Sequence, residues 1–77
     1  MDPLDAAIAV LRDAGEPLHW TVIQDRALRG GSIDPFVVQD VRGTLLAALR
    51  DGVRAGALER AGTGVYRLPA EAPATGV

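Results

Sequence analysis

The sequence predicts an α+β fold in which three helices precede a β-hairpin and a short strand separates the first two helices. Two observations indicate the helices: Asp-Pro pairs stand where helices can begin, and glycines stand where they can end. A third indicates the hairpin, because two strand-like segments flank a glycine-rich turn. The chain has 77 residues and no cysteine, so we expect one small domain held together by apolar packing.

The first helix is predicted over residues 3–14. Asp2 can accept a hydrogen bond from a free helical N–H, and Pro3 suits the first turn because it has no N–H to lose. Gly15 can adopt the left-handed conformation that ends a helix. Four apolar residues recur with helical spacing and form one face: Leu4, Ala7, Ile8 and Leu11.

A brief extended segment and a second helix are predicted next. Residues 16–20 contain Pro17 and are too short for a helix, so they indicate a short strand. Thr21 and Gln24 match a capping box, which predicts a helix of about ten residues opening at Thr21. Gly30 and Gly31 end it.

The third and longest helix is predicted to begin at Asp34-Pro35, where the capping signal recurs, and to end anywhere between Gly52 and Gly56. Gly43 has two interpretations, simple tolerance inside a strong helix or close approach to another backbone or to DNA. The core face of this predicted helix combines five apolar residues: Val38, Val41, Leu45, Leu49 and Val53. Near the opposite side lie Gln39, Gly43, Ala47, Arg50 and Arg54.

The hairpin is predicted from residues 57–61, a turn at 62–64 and residues 65–69, with Leu58, Val65 and Leu68 as apolar anchors. Residues 70–77 show no periodicity and are predicted to be disordered. Helix, short strand, helix, longer helix and hairpin is the element order of a winged helix-turn-helix, which we assign to residues 1–69.

Three segments carry a resemblance to a known family. Residues 7–20, AIAVLRDAGEPLHW, resemble the run A-x-x-V-L-x-x-x-G-x-P-L-H-aromatic that opens the HARE-HTH family. Residues 41–45, VRGTL, are similar to its third helix, and residues 62–68, GTGVYRL, are similar to its glycine-rich wing and to the wing of AbiEi-type antitoxins. The resemblance covers residues 4–68.

The resemblance to the HARE-HTH family implies a winged helix-turn-helix that is usually attached to larger proteins. These include DNA-modifying or restriction enzymes, chromatin factors and the delta subunit of bacterial RNA polymerase. DNA binding is commonly inferred for the family, whereas the delta subunit indicates that the domain can serve the polymerase instead.

Composition argues against several classes of function. A lone histidine, no cysteine, no phosphate-binding glycine loop and one serine without a nearby base argue against an enzyme, a metal site, a cofactor or a small-molecule substrate. The apolar runs are too short to span a membrane, and the N-terminus does not resemble a signal peptide. We therefore expect a bacterial-type cytoplasmic protein. Its eight arginines without lysine fit either the bias of a high-GC genome or selection for a binding surface.

Charge is distributed unevenly along a chain whose net charge is -2. A negative total disfavours indiscriminate coating of nucleic acid. The first sixteen residues hold four acids and one arginine, whereas residues 42–67 hold five arginines and two acids. The basic half therefore favours binding of double-stranded DNA, as a small transcriptional regulator or a nucleoid-associated protein.

In such a protein the third helix would enter the major groove and the wing would contact phosphate or the minor groove. Arg50 could fork onto guanine, and Gln39 could pair with adenine. Asp40 and Asp51 are predicted on the same outer face, where they would repel phosphate. The candidate DNA-binding residues are Gln39, Thr44, Arg50 and Arg54 on the helix, and Arg60, Thr63 and Arg67 on the hairpin.

The alternative is a protein-interaction domain that docks on RNA polymerase, another regulator or itself. Phe36, which the helical phase predicts to be exposed, would form that interface or pack locally. Arg42 is expected to lay its stem on the core and pair with an acid. His19 is expected to be a packed, half-buried side chain rather than a metal ligand or base. Trp20 and Tyr66 are expected to pack rather than to stack on bases.

Overall fold

The computed structural model describes residues 1–69. Within them lie three helices and one three-stranded antiparallel sheet of strand order β1-β3-β2. This α+β arrangement is that of a winged helix, which confirms the predicted fold class, and the hairpin of β2 and β3 is the wing. The disorder predicted for residues 70–77 lies outside the described residues. The elements are α1 (Pro3–Ala14), β1 (Leu18–His19), α2 (Trp20–Arg29), α3 (Val41–Arg54), β2 (Glu59–Gly62) and β3 (Val65–Arg67).

Helix α1 has the bounds and the caps that the sequence predicts. The Asp2 carboxylate accepts hydrogen bonds from the backbone N–H groups of Leu4 at 3.1 Å and Asp5 at 3.4 Å. Gly15 adopts a φ of 68°, and its N–H donates to the carbonyl of Leu11. Both ends of α1 are therefore specified by residues within or directly next to the helix.

Helix α2 begins one residue earlier than predicted and has a different cap. His19, not Thr21, is the N-cap, because its ring nitrogen Nδ1 accepts from the backbone N–H of Thr21 at 3.3 Å. The Thr21 hydroxyl lies 2.8 Å from the same nitrogen. The capping box at Thr21 and Gln24 is thus wrong, while the ten-residue length and the end at Gly30 are confirmed.

Helix α3 does not begin at Asp34-Pro35, and this prediction is wrong. Asp34 instead closes a separate turn, in which its carbonyl accepts from Val37 and Val38 and its carboxylate accepts from Phe36. The helix begins after Asp40, whose side chain accepts from the N–H of Gly43 at 3.0 Å. In a helix that continued from Pro35, the N–H of Gly43 would donate to the carbonyl of Gln39. It donates to the Asp40 side chain instead, so Asp40 sets the start of the helix.

Gly43 occupies the first turn of α3 rather than the interior of a longer helix. A Cβ atom at this position would lie 2.2 Å from the Oδ2 atom of Asp40. The close approach is therefore to the capping carboxylate, not to another backbone.

The core is purely apolar and lies where α1, α2 and α3 meet the inner face of the sheet. Val38, Val41 and Val53, predicted for the core face, are partly buried against it. Gly52 does not end α3, since it is buried within the helix, and a Cβ there would meet Leu4 and Leu58. The buried residues of the core are Ala6, Ala7, Val10, Leu11, Leu18, Ile23, Ala27, Ile33, Leu45, Leu49, Leu58 and Tyr66.

We expect Gly52→Ala to lower the free energy of unfolding by about 1 kcal/mol, measured by urea unfolding followed by circular dichroism. The added methyl gains up to about 1 kcal/mol of helix propensity. It would stand 2.7 Å from Leu4 Cδ1 and 3.0 Å from Leu58 Cδ1, and such overpacking costs about 1–3 kcal/mol. In a Leu4→Ala background the same change should cost less. A gain in stability in the parent would contradict close packing at Gly52.

Candidate nucleic-acid interface

A groove between α3 and the wing brings together three of the arginines that the sequence singles out. Arg50 and Arg54 are four residues apart on α3 and therefore share one helix face. Arg60 pairs with Tyr66 across the hairpin, so both side chains lie on the same face of the sheet, toward the helices. The groove is lined by Leu46, Arg50, Val53, Arg54, Arg60 and Tyr66.

The three groove arginines present their charge to solvent. All three are exposed. Among residues 1–69 the ion pairs join Arg29 to Asp25 and Arg67 to Glu59, and neither involves Arg50, Arg54 or Arg60. Their guanidinium donors are therefore open to an anionic ligand, and apolar side chains line the groove between them.

Arg67 lies outside this groove. It pairs with Glu59 in the hairpin register, on the sheet face opposite to Arg60 and Tyr66. Its Nε atom donates to the Glu59 carboxylate at 2.9 Å. Arg67 also lines a separate surface pocket beside Arg12 at the end of α1. Of the two hairpin arginines, the fold brings only Arg60 to the α3 face.

Thr44 and Asp51 lie on the opposite flank of α3. Together with Asp2 they line a groove between α3 and the start of α1. Asp51 therefore borders α1, while its position three residues before Arg54 keeps it next to the arginine face. Asp40 is bound to the first turn of α3 as its N-cap. Asp2 and Asp51 form an acidic flank of α3 toward α1, and Arg50 and Arg54 lie toward the wing.

The remaining predicted residues are exposed in loops. Gln39 lies in the loop before α3 instead of on the helix, because α3 starts later than predicted. Thr63 stands in the tight turn at the wing tip, as predicted. Phe36 is 96% exposed and Val37 is 75% exposed on the turn closed by Asp34. That turn, not a helical phase, accounts for the exposure of Phe36.

Arg42 has an aromatic partner that sequence reasoning missed. Its guanidinium carbon lies 5.4 Å from the centroid of the Trp20 ring, whereas an acidic partner was expected. Trp20 packs partly against the core, and Tyr66 is buried in it, as predicted. His19 is exposed, not half-buried, and its ring tilts against Trp20 at 5.7 Å. No local spacing signals the Arg42 contact, because it joins the starts of two different helices.

The wing tip is hydrogen-bonded to the start of α2. The backbone N–H of Trp20 donates to the carbonyl of Gly64 at 2.9 Å, and β1 pairs with β3 through His19 and Val65. Gly64 has a φ of +72°, and a Cβ there would lie 2.8 Å from the Nε2 atom of His19 and 3.2 Å from Trp20. His19 therefore serves as a helix cap and as a contact for the wing.

Two further findings concern the part of the chain that the structure describes. Within it, no group of three or more histidine, cysteine, aspartate or glutamate side chains is placed to hold a metal ion. Helices of the length and apolar character needed to cross a membrane are likewise not found among residues 1–69.

Comparisons of the chain with models of known protein families, with curated proteins and with solved structures gave no match.

We expect Gly64→Ala to lower stability by about 1–3 kcal/mol, because alanine is strained at positive φ and the new methyl meets His19 and Trp20. Gly56→Ala is the matched control, since Gly56 has a φ of +83° and open space around it. Thermal unfolding and Trp20 fluorescence would measure both variants. The Gly64 variant should lose more stability and alter Trp20 emission. Equal losses would contradict packing of the wing turn on Trp20.

Proposed function

We propose that this chain binds double-stranded DNA through α3 and the wing. The observation that carries the proposal is the groove of Arg50, Arg54 and Arg60, which have no carboxylate partner among residues 1–69. Affinity for duplex DNA comes largely from cations that neutralise phosphates. A helix and a hairpin that present arginines to one groove match the way in which a winged helix approaches a duplex.

In this proposal the groove arginines and the wing hold the duplex, and α3 lies in the major groove. Arg60 and Thr63 would contact phosphate or the minor groove, while Arg50 would reach a guanine edge. Arg67 would contribute only if its ion pair with Glu59 opened. Gln39 and Thr44 remain candidates at the start of α3, on the loop and on the acidic flank respectively.

The cellular role that we propose is that of a small transcriptional regulator or a nucleoid-associated protein in a bacterial cytoplasm. Membership of the HARE-HTH family is part of this proposal and is supported by the motif in residues 7–20. In the structure this motif forms most of α1, the strand β1 and the first residue of α2, including His19 and Trp20. It therefore supplies the site at which the wing is fastened.

We expect the variant R50A/R54A/R60A to bind duplex DNA weakly and with a reduced dependence on salt. The slope of log affinity against log salt concentration should become shallower by about one unit for each phosphate contact removed, hence by about two for Arg54 and Arg60. Fluorescence anisotropy of a labelled duplex between about 50 and 200 mM salt measures both quantities. The three side chains are exposed, so the variant should keep the circular dichroism spectrum of the parent.

The matched control is R12A/R26A/R29A, which removes the same number of positive charges from the exposed surface of α1 and α2. It should bind duplex DNA nearly as well as the parent, because those side chains lie outside the groove. Equal weakening of both variants would show that only total charge matters. Unchanged binding by R50A/R54A/R60A would overturn the proposed site.

A second candidate function is docking on another protein, and the observation that favours it is the exposed pair Phe36 and Val37. Several backbone hydrogen bonds hold their turn in place, so little ordering would be needed on binding. Such a pair fits an apolar pocket on RNA polymerase, on another regulator or on a second copy of the chain.

We expect docking, if it is the function, to resist salt and to be lost in Phe36→Ser. Sedimentation of the chain alone and with purified RNA polymerase at low and high salt measures complex formation, with Ala55→Ser as the control at another exposed apolar residue. The Phe36 variant should still bind duplex DNA like the parent. Sedimentation of the parent as a free monomer in every mixture would contradict the docking function.

A further inference from the structure

We infer that Arg42 is a specificity-determining residue that reads a guanine, and that Trp20 holds it in position for this task. The inference rests on the proposed function, since it assumes that α3 lies in the major groove of a duplex. It assigns to Arg42 a role separate from that of the groove arginines.

The first observation is the place of Arg42 on the helix. It is the second residue of α3, whereas Arg50 and Arg54 lie in its last two turns. The N-terminal residues of a recognition helix are those that contact base edges. Arg42 is the only cation in the first turn of α3, and a rise of 1.5 Å per residue places it about 12 Å along the axis from Arg50.

Because of that separation, Arg42 and the groove arginines would contact different parts of the duplex. Successive base pairs are about 3.4 Å apart, so Arg42 and Arg50 would meet the duplex at different base pairs, at most about three to four apart. Arg54 adjoins Arg60 on the wing, which favours contacts of these two arginines with phosphates. Arg42 adjoins α2 instead, at the end of α3 that points away from this cluster.

The second observation is the contact between Arg42 and Trp20. The guanidinium carbon lies over the indole ring, 5.4 Å from its centroid, and a cation–π contact of this kind uses none of the N–H donors of the arginine as hydrogen bonds. Arg42 is exposed and forms no ion pair among residues 1–69. The nearby Asp40 carboxylate is occupied by the backbone N–H of Gly43.

The third observation is that the ring beneath Arg42 is held by the rest of the fold. The backbone N–H of Trp20 is hydrogen-bonded to the carbonyl of Gly64 at the wing tip. The Trp20 side chain packs against the core, and the His19 ring contacts the indole ring at a tilt. A side chain positioned before binding loses less rotamer freedom on contact. Two parallel donors in a fixed plane match the O6 and N7 atoms of guanine, which a lysine cannot engage in the same way.

The test is selection of preferred duplexes from a randomised library by the parent chain, Arg42→Lys and Arg42→Ala. The parent should enrich a guanine at one position by about tenfold or more, in the range expected for a bidentate pair. Arg42→Lys retains the charge, so it should bind with nearly the salt dependence of the parent but lose the preference at that position alone. Arg42→Ala should lose the same preference.

A second readout comes from Trp20, the only tryptophan in the chain. Its emission should change when the parent binds the selected duplex, because the guanidinium that covers the ring engages a base. The change should be smaller in Arg42→Ala, whose ring is uncovered before binding. Arg50→Ala is the control: it should weaken binding and lose any guanine preference at its own position, while the preference that depends on Arg42 and the Trp20 response persist.

Two outcomes overturn the inference and leave the proposed function standing. One is duplex binding by the parent without any guanine preference, and the other is retention of the parent's preference in Arg42→Lys. A parent chain that binds no duplex even at low salt would overturn the proposed function together with the inference. The inference about Arg42 is supported if both Arg42 variants lose the guanine preference and still bind duplex DNA.

Discussion

The hydrogen bond from the Trp20 N–H to the Gly64 carbonyl is the contact on which the geometry of the surface depends. A two-stranded hairpin has little stability of its own. Here β1 contributes only two residues to the sheet, so the wing is oriented by that short pairing, by this bond and by burial of Tyr66. The groove between α3 and the wing exists because these contacts fix the wing, while Leu45 and Leu49 in the core hold α3.

Most of the fold could be predicted because its signals are local. Asp2 and Gly15 act on residues within one turn of themselves, and they bound α1 as the sequence indicates. The start of α3 could not be chosen in this way, since Asp34 and Asp40 can both cap a turn and both do so. The cap of α2 was missed because histidine is not among the preferred capping residues and Thr21 is.

The candidate site was predictable only where one element carries it. Helical periodicity places Arg50 and Arg54 together, but it cannot say which hairpin arginine joins them. That depends on the register of β2 and β3 and on the irregularity between Arg60 and Gly62, which put Arg60 inward and Arg67 against Glu59. The contact between Arg42 and Trp20 joins two helices, so it depends on packing that no local pattern encodes.

The separation of charge across α3 has a kinetic consequence. Asp2 and Asp51 on the side facing α1 and Arg50, Arg54 and Arg60 on the side facing the wing form a local electric dipole across this helix, in a chain whose net charge is -2. Close to a polyanion the field acts on this dipole more favourably in one orientation than in the reverse. Encounters would thus be pre-aligned, with the basic side leading, and lowering the ionic strength would strengthen the alignment as the Debye length grows.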